Sequence, residues 1–173
     1  KNIKLCFFSR HGGFSKGLYK GLNCGRGSKD KKENILRNLN YVSKRMFVKK
    51  NKLILMNQTH SNKVVEIKKN NFKKKINSDA IITRTQEFAL GVVTADCVPI
   101  LLYDKKNEIV GCIHAGWKGA LSGIIKNTVK KIKKLNNKND IFASIGPCIG
   151  KSSYEVDVKF YKKFLSNSPK NKK

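Results

Sequence analysis

Arginine is scarce in this chain. Only five of its 38 cationic side chains are arginines, and the remainder are lysines. Bidentate guanidinium clamps on phosphate or guanine are therefore few. The nine Phe, five Tyr and one Trp do not alternate with the basic residues as a base-stacking platform would. No apolar run is long enough to cross a bilayer, and no secretory leader pattern is visible. There is no Cys-x-x-Cys pair, and the cysteine count is five, an odd number. A disulfide framework does not fit, and a reducing, cytoplasmic setting does. Histidine is limited to His11, His60 and His114. Internal repeats are absent. What the chain has in excess is lysine interleaved with asparagine, as in Lys68–Lys75 and Lys130–Lys134, for a formal charge of +27 over 173 residues. Two readings stand: a polyanion-binding surface, or solvated filler that attracts small anions such as phosphate. The scarcity of arginine favours the second, with no specific nucleic-acid partner and no membrane.

The length suits one domain with a real core. A strand candidate at Lys4–Phe8 runs into a glycine-rich loop from Ser9 to Gly25. From Asp30, a plausible cap, Ile35, Leu39, Val42 and Met46 recur at helical spacing. Short apolar runs end at Met56, Ile67, Thr83, Val93, Tyr103, Ile113 and Ile145 and read as strands. The continuous run Phe88–Val93 has the composition of a fully buried strand. Leu121, Ile124, Ile125, Val129 and Ile132 share one face of a helix predicted over Leu121–Leu135. This order predicts an α+β fold of mixed β-sheets with helices packed on the outside. Residues 1–165 are expected to form a single metal-dependent catalytic domain, and 166–173 a frayed polar tail.

Three of the strand ends carry polar clusters: Asn57-Gln58-Thr59-His60, Thr94-Ala95-Asp96-Cys97 and His114-Ala115-Gly116-Trp117-Lys118-Gly119. Converging His60, Cys97 and His114 would suit zinc with one position left open, at ligand distances of roughly 2.0–2.3 Å. The bland alternative makes the histidines polar strand ends and Cys97 a small core residue. Cys97 or Cys148 could instead be a nucleophile beside a histidine base, although a structural thiol is the plainer account for Cys148. Asp96 is placed to act as a general acid or base, or simply to bond turn amides. Arg10 and His11 open the glycine-rich loop, where backbone N–H groups can face an anion, or where the chain merely turns. Trp117 is either a hydrophobic plug or a wall against a flat ligand.

Taken in order, Ser-Arg-His-Gly-Gly-Phe-Ser at 9–15, Leu-Asn at 22–23, Gln-Thr-His at 58–60, Ser-Asp-Ala at 78–80, Thr-Ala-Asp-Cys-Val-Pro at 94–99, His-Ala-Gly-Trp-Lys-Gly at 114–119 and Gly-Pro-Cys-Ile-Gly at 146–150 closely resemble the laccase-domain family. Its members were long labelled multicopper polyphenol oxidases and are now read as purine nucleoside phosphorylases with adenosine deaminase side activity. The resemblance implies a metal, usually taken as zinc, on His60, Cys97 and His114. It implies inosine, adenosine, guanosine and methylthioadenosine as substrates with inorganic phosphate. Within this reading Asp96 is the candidate catalytic residue, and Arg10, His11, Asn23 and Lys118 are candidate substrate or phosphate contacts. Two departures stand out. The family commonly has arginine where this chain has Lys118, which keeps the charge but not a bidentate clamp. Its members also usually continue for several dozen residues past the Gly-Pro-Cys-Ile-Gly segment, to an arginine-containing segment that nothing here matches.

Two rivals remain. Copper could occupy a two-histidine, one-cysteine site, as the older label implies. The multi-copper oxygen chemistry of a laccase, however, needs many histidines, and three cannot build it. A basic nucleic-acid-binding module is the other. The usual zinc-deaminase signature, His-x-Glu with Pro-Cys-x-x-Cys, is missing, which weakens the deaminase expectation.

Overall fold

The computed structural model describes residues 3–136, 138–168 and 171. Its centre is a five-stranded mixed sheet. β2 (Val64–Glu66) lies parallel to β3 (Ala80–Thr83); β3, β6 (Ile109–Ala115), β5 (Val98–Asp104) and β7 (Ile141–Ile145) follow in antiparallel order. β6 occupies the middle, paired with β3 on one side and with the whole of β5 on the other. A second sheet of two parallel strands, β1 (Leu53–Leu55) and β4 (Ala89–Gly91), packs against one face.

Side-chain alternation along the strands divides the core. Ile82 and Ile113 face one way, with Ile100 and Leu102, onto the helix α3 (Ile124–Leu135) through Ile124 and Ile132. Ile81 and Cys112 face the other way, onto Ile54, Met56, Ile67 and Phe88. A third cluster, Ile35 and Leu39 against Leu53 and Ala89, lays helix α1 (Lys32–Arg45) outside the small sheet. The layers thus run α3, large sheet, small sheet, α1, an α+β arrangement with helices outside. Each fully buried isoleucine contributes roughly 1.5–3 kcal/mol.

Several expectations are corrected. Lys4–Phe8 is not a strand. A strand needs a partner edge, and this segment packs through side chains instead. The Phe7 ring lies so close to Gly146 that a Cβ there would sit 2.3 Å from it. Asp30 does not cap α1: the N-cap is Lys31. The Asp30 carboxylate accepts from the Ser15 hydroxyl (2.6 Å) and the Asn23 amide (3.0 Å), which ties down the glycine-rich loop. The helix expected over Leu121–Leu135 is two: α2 (Trp117–Leu121) and α3. Gly123, at φ +87°, takes the left-handed conformation that ends one and starts the other. Within α3 the buried stripe runs through Thr128, whose hydroxyl donates to the Ile124 carbonyl, while Ile125 faces outward, 42% exposed. The helix α4 (Val158–Asn167), capped by Asp157, extends into the segment expected to be a frayed tail. The tail positions 169, 170, 172 and 173 lie outside the described residues.

Candidate metal centre

The chain after β1 is fixed before it reaches His60. The Asn57 N–H donates to the Ile76 carbonyl (2.7 Å), and the Gln58 side chain exchanges two hydrogen bonds with the Val93 backbone, at 2.8 and 2.9 Å. The turn that follows wraps a carboxylate. Asp79, just before β3, accepts from the N–H and hydroxyl of Thr59 (3.2 Å each), the N–H of His60 (3.0 Å), and the N–H and hydroxyl of Ser61 (2.7 Å each). His60 has φ +57°, an uncommon conformation for a side chain of this size. Such a conformation costs of order 1–3 kcal/mol and persists only where the surroundings over-determine it; here the Asp79 bonds do so.

His114 comes from the C-terminal end of β6. Its N–H donates to the Asp79 carbonyl (2.7 Å), and its Nδ1 lies 2.8 Å from Asp79 Oδ1. Cys97 stands immediately before β5, whose register sets Val98 opposite Ala115 and Pro99 opposite His114. Strand pairing therefore delivers the thiol to the imidazole. The ligand atoms of His60, Cys97 and His114 all lie within 4.8 Å of one another. The two rings meet edge to face, with centroids 4.9 Å apart. The corner grades from exposed His60 through half-buried Cys97 to buried His114.

Electrostatics follow from this packing. Burial alone would push the Asp79 carboxyl up, but the bonds from His114, Ser61 and Thr59 outweigh it and hold the group down at about 2. Burial pushes the Cys97 thiol up, and the nearby Asp96 and Asp79 charges add to that. A cation at the corner reverses this logic, because a coordinated thiol is deprotonated outright.

The residues present fit a zinc-type ion. Two imidazole nitrogens and one thiolate are its preferred donors, and three protein ligands leave a position open. Tetrahedral coordination sets ligand atoms about 3.3–3.8 Å apart, so closure from the observed spacing asks for small side-chain movements. Gly116 keeps that space clear: a Cβ there would lie 2.8 Å from His60 Cδ2 and 3.1 Å from Cys97 Sγ.

The other candidate residues are dispersed. Asp96 is exposed beside Cys97, and its carbonyl accepts from Ile149, which brings the Gly146–Gly150 loop and exposed Cys148 alongside. Arg10 and His11 are exposed, and Arg10 donates to the Lys20 carbonyl at 3.0 Å. Asn23 is committed to its own loop, accepting from Gly25 and donating to Ser28 and Asp30. Lys118 points its ammonium toward the Trp117 ring, 5.5 Å from the centroid. Trp117 itself packs on Phe160 of α4 at 4.8 Å, as a plug. A largely apolar cavity of about 890 Å³ reaches from Ser9 and Leu22 at the glycine-rich loop to Thr94 and Ala95 beside the cysteine and Pro147. The residue that sequence reasoning missed is Asp79. It lay in view inside Ser78-Asp79-Ala80, as an acid directly before an apolar strand.

This geometry defines an α+β protein with a histidine–cysteine–histidine corner that could hold a metal. A family model described as multi-copper polyphenol oxidoreductase laccase matches residues 4–173, and the chain belongs to that family. A purine nucleoside phosphorylase of Rickettsia conorii is 41% identical over 126 residues, covering 73% of this chain and 52% of the relative. One from Bacteroides thetaiotaomicron is 34% identical over 176 residues, covering 96% and 65%. Among solved structures, the hypothetical protein YfiH of Bacillus licheniformis superposes with a TM-score of 0.85 at 28% identity, covering 92% of this chain and 63% of that one. YlmD of Geobacillus stearothermophilus gives 0.84 at 26%, covering 91% and 62%. The chain spans between half and two-thirds of the length of these relatives. Among the described residues, no helix is long and apolar enough to cross a membrane.

Proposed function

We propose that this chain is a metal-dependent purine nucleoside phosphorylase acting on inosine, adenosine, guanosine and methylthioadenosine, with adenosine deamination as a side activity and zinc as the metal. The observation that carries the reading is the convergence of His60, Cys97 and His114 within 4.8 Å, in a chain whose curated relatives bear the phosphorylase name. In phosphorolysis a phosphate oxygen bonds to C1′ of the ribose as the C1′–N9 bond breaks. The bonding pair leaves with the purine, which takes up a proton. Positive charge builds on the sugar meanwhile. Zinc held by the two imidazoles and the thiolate would supply Lewis acidity for the electron-rich purine or for a water in deamination.

The remaining roles fall to the chain's own groups. Asp96, exposed beside Cys97, is assigned the proton that the purine gains. Arg10 keeps N–H donors beyond the one it spends on Lys20, and with His11 it is assigned the phosphate. Asn23 holds the loop that carries them, and its side chain serves there before it serves substrate. Lys118 adds positive charge beside the corner as a point charge rather than a clamp. The five free cysteines and the cosubstrate fit the cytoplasm.

The test is zinc-loaded protein with inosine, with and without phosphate. Hypoxanthine and ribose 1-phosphate released in equal amounts, only when phosphate is present, are the expected result. Phosphate-independent release of base refutes phosphorolysis. Inosine formed from adenosine without phosphate tests the side activity separately.

A further inference from the structure

Both histidines of the corner depend on one side chain. Asp79 is 0% exposed, and its two oxygens meet six donors. Three of these are backbone N–H groups from Thr59, His60 and Ser61, which can only donate. Asp79 is therefore an acceptor on both oxygens and has no proton to offer His114. Across the 2.8 Å contact the proton sits on His114 Nδ1. In a neutral imidazole the other nitrogen then carries a bare lone pair. Ring rotation offers no escape, because His114 is only 3% exposed and its own N–H is tied to the Asp79 carbonyl. The same Oδ1 accepts the His60 N–H, in the residue that adopts φ +57°.

We propose that Asp79 is the positioning residue of the centre. It fixes His114 as the Nδ1–H tautomer, with Nε2 presented to the ligand, and it holds the left-handed turn that swings His60 in beside it. The role is more than structural, because a purely structural carboxylate has no reason to select a tautomer. It deepens the metal reading above. Outer-shell carboxylates of this kind set ligand orientation and basicity, and their loss typically costs 10–100-fold in metal affinity.

The first measurement needs no variant. With only three histidines in the chain, long-range ¹⁵N–¹H correlation spectra of metal-free protein resolve each ring, and single His11→Ala and His60→Ala variants assign them. The expected result is a protonated Nδ1 and a bare Nε2 at His114. A protonated Nε2 with bare Nδ1 overturns the proposal, whatever the enzyme does. The second measurement is zinc affinity of Asp79→Asn by competition with a chromophoric chelator. The amide can turn a donor toward Nδ1 and drive the proton to Nε2. The expected result is a 10–100-fold loss of affinity together with a change in the His114 ring pattern. Affinity within twofold of wild type in a folded variant overturns the proposal. Should Asp79→Asn not fold, the wild-type spectra still decide. Failure of phosphorolysis in a protein that binds zinc with the expected tautomer sinks the functional reading alone.

Discussion

Strand β6 runs between two buried aspartates that look alike in isolation. Asp104, at the end that opens β6, and Asp79, at the end that closes it, are each 0% exposed and each surrounded by donors. Asp104 accepts from Asn107 and Asn139 (2.6 Å each) and from the N–H groups of Lys106 (3.2 Å) and Asp140 (3.0 Å). All four are amides, and the interaction ends with them: the β5–β6 turn is closed and the approach to β7 is tied down. Asp79 also accepts from two hydroxyls, of Thr59 and Ser61, but the donor that sets it apart is the His114 ring. An imidazole has a second nitrogen, so a bond made inside the protein is expressed on the outside, next to a thiol and another imidazole. Burial and saturation of a carboxylate do not mark a functional site by themselves. A donor with a second reactive atom does.

The largest effect should come from cutting the reactive end. Cys97→Ala is expected to lower zinc affinity by more than the 10–100-fold typical of outer-shell losses, and to abolish turnover. Its melting temperature should barely move in the metal-free state. Cys148→Ala, in an exposed loop, is expected to keep its metal. Equal zinc content in wild type and Cys97→Ala would dissolve the contrast. At the closed end, Asp104→Ala is expected to cost about 2–4 kcal/mol in urea unfolding, since four donors lose one acceptor, with zinc affinity unchanged.

Burial opposes ionisation of Asp104, but the bonds from Asn107, Asn139, Asp140 and Lys106 prevail and hold its carboxyl below the usual range. Its contribution is therefore complete above the unfolded-state value near 4 and is lost as pH falls through the lower folded value. The gap between wild type and Asp104→Ala should narrow in acid; a gap that widens would contradict the assignment. Gly116→Ala should sharpen the contrast from the other side. Its Cβ meets His60 and Cys97, so zinc affinity should drop about tenfold for about 1–3 kcal/mol of strain. Of similar size, Arg10→Ala is expected to raise the phosphate KM about tenfold, a charged hydrogen bond's worth, with the inosine KM unchanged. The reverse pattern would remove Arg10 from the phosphate site. Least of all, any retention of duplex DNA should be sequence-independent and gone by about 0.2 M salt.

Much of this was legible in the sequence, for definable reasons. Apolar runs ending in polar clusters located β1, β4 and β6, and the trio His60, Cys97 and His114 stood at the ends of those runs. What was missed depended on contacts distant in sequence. Asp79 is 19 residues from His60 and 35 from His114, and no local pattern distinguishes an acid that caps a strand from one that gathers two histidines. Lys4–Phe8 has strand composition but no partner edge, which only the tertiary arrangement decides. The break at Gly123 was visible as a glycine but was outvoted by helical periodicity on both sides. Asp30 looked like a cap because its other partners, Ser15 and Asn23, lie upstream in a loop without periodicity.

The span between the corner's parts also has a bearing on time. Drawing the Thr59–Ser61 turn onto Asp79, and Asp79 onto His114, closes two loops in succession, and the β2–β3 pairing that precedes them is parallel and itself non-local. Loop closure has to occur before such contacts can stabilise anything. The three ligand atoms are therefore expected to come together late, after the central strands have found their register. During refolding, zinc capture should lag behind the recovery of secondary structure. Its onset then serves as a clock for the last stage of chain assembly, readable in a stopped-flow cell with a coloured chelator.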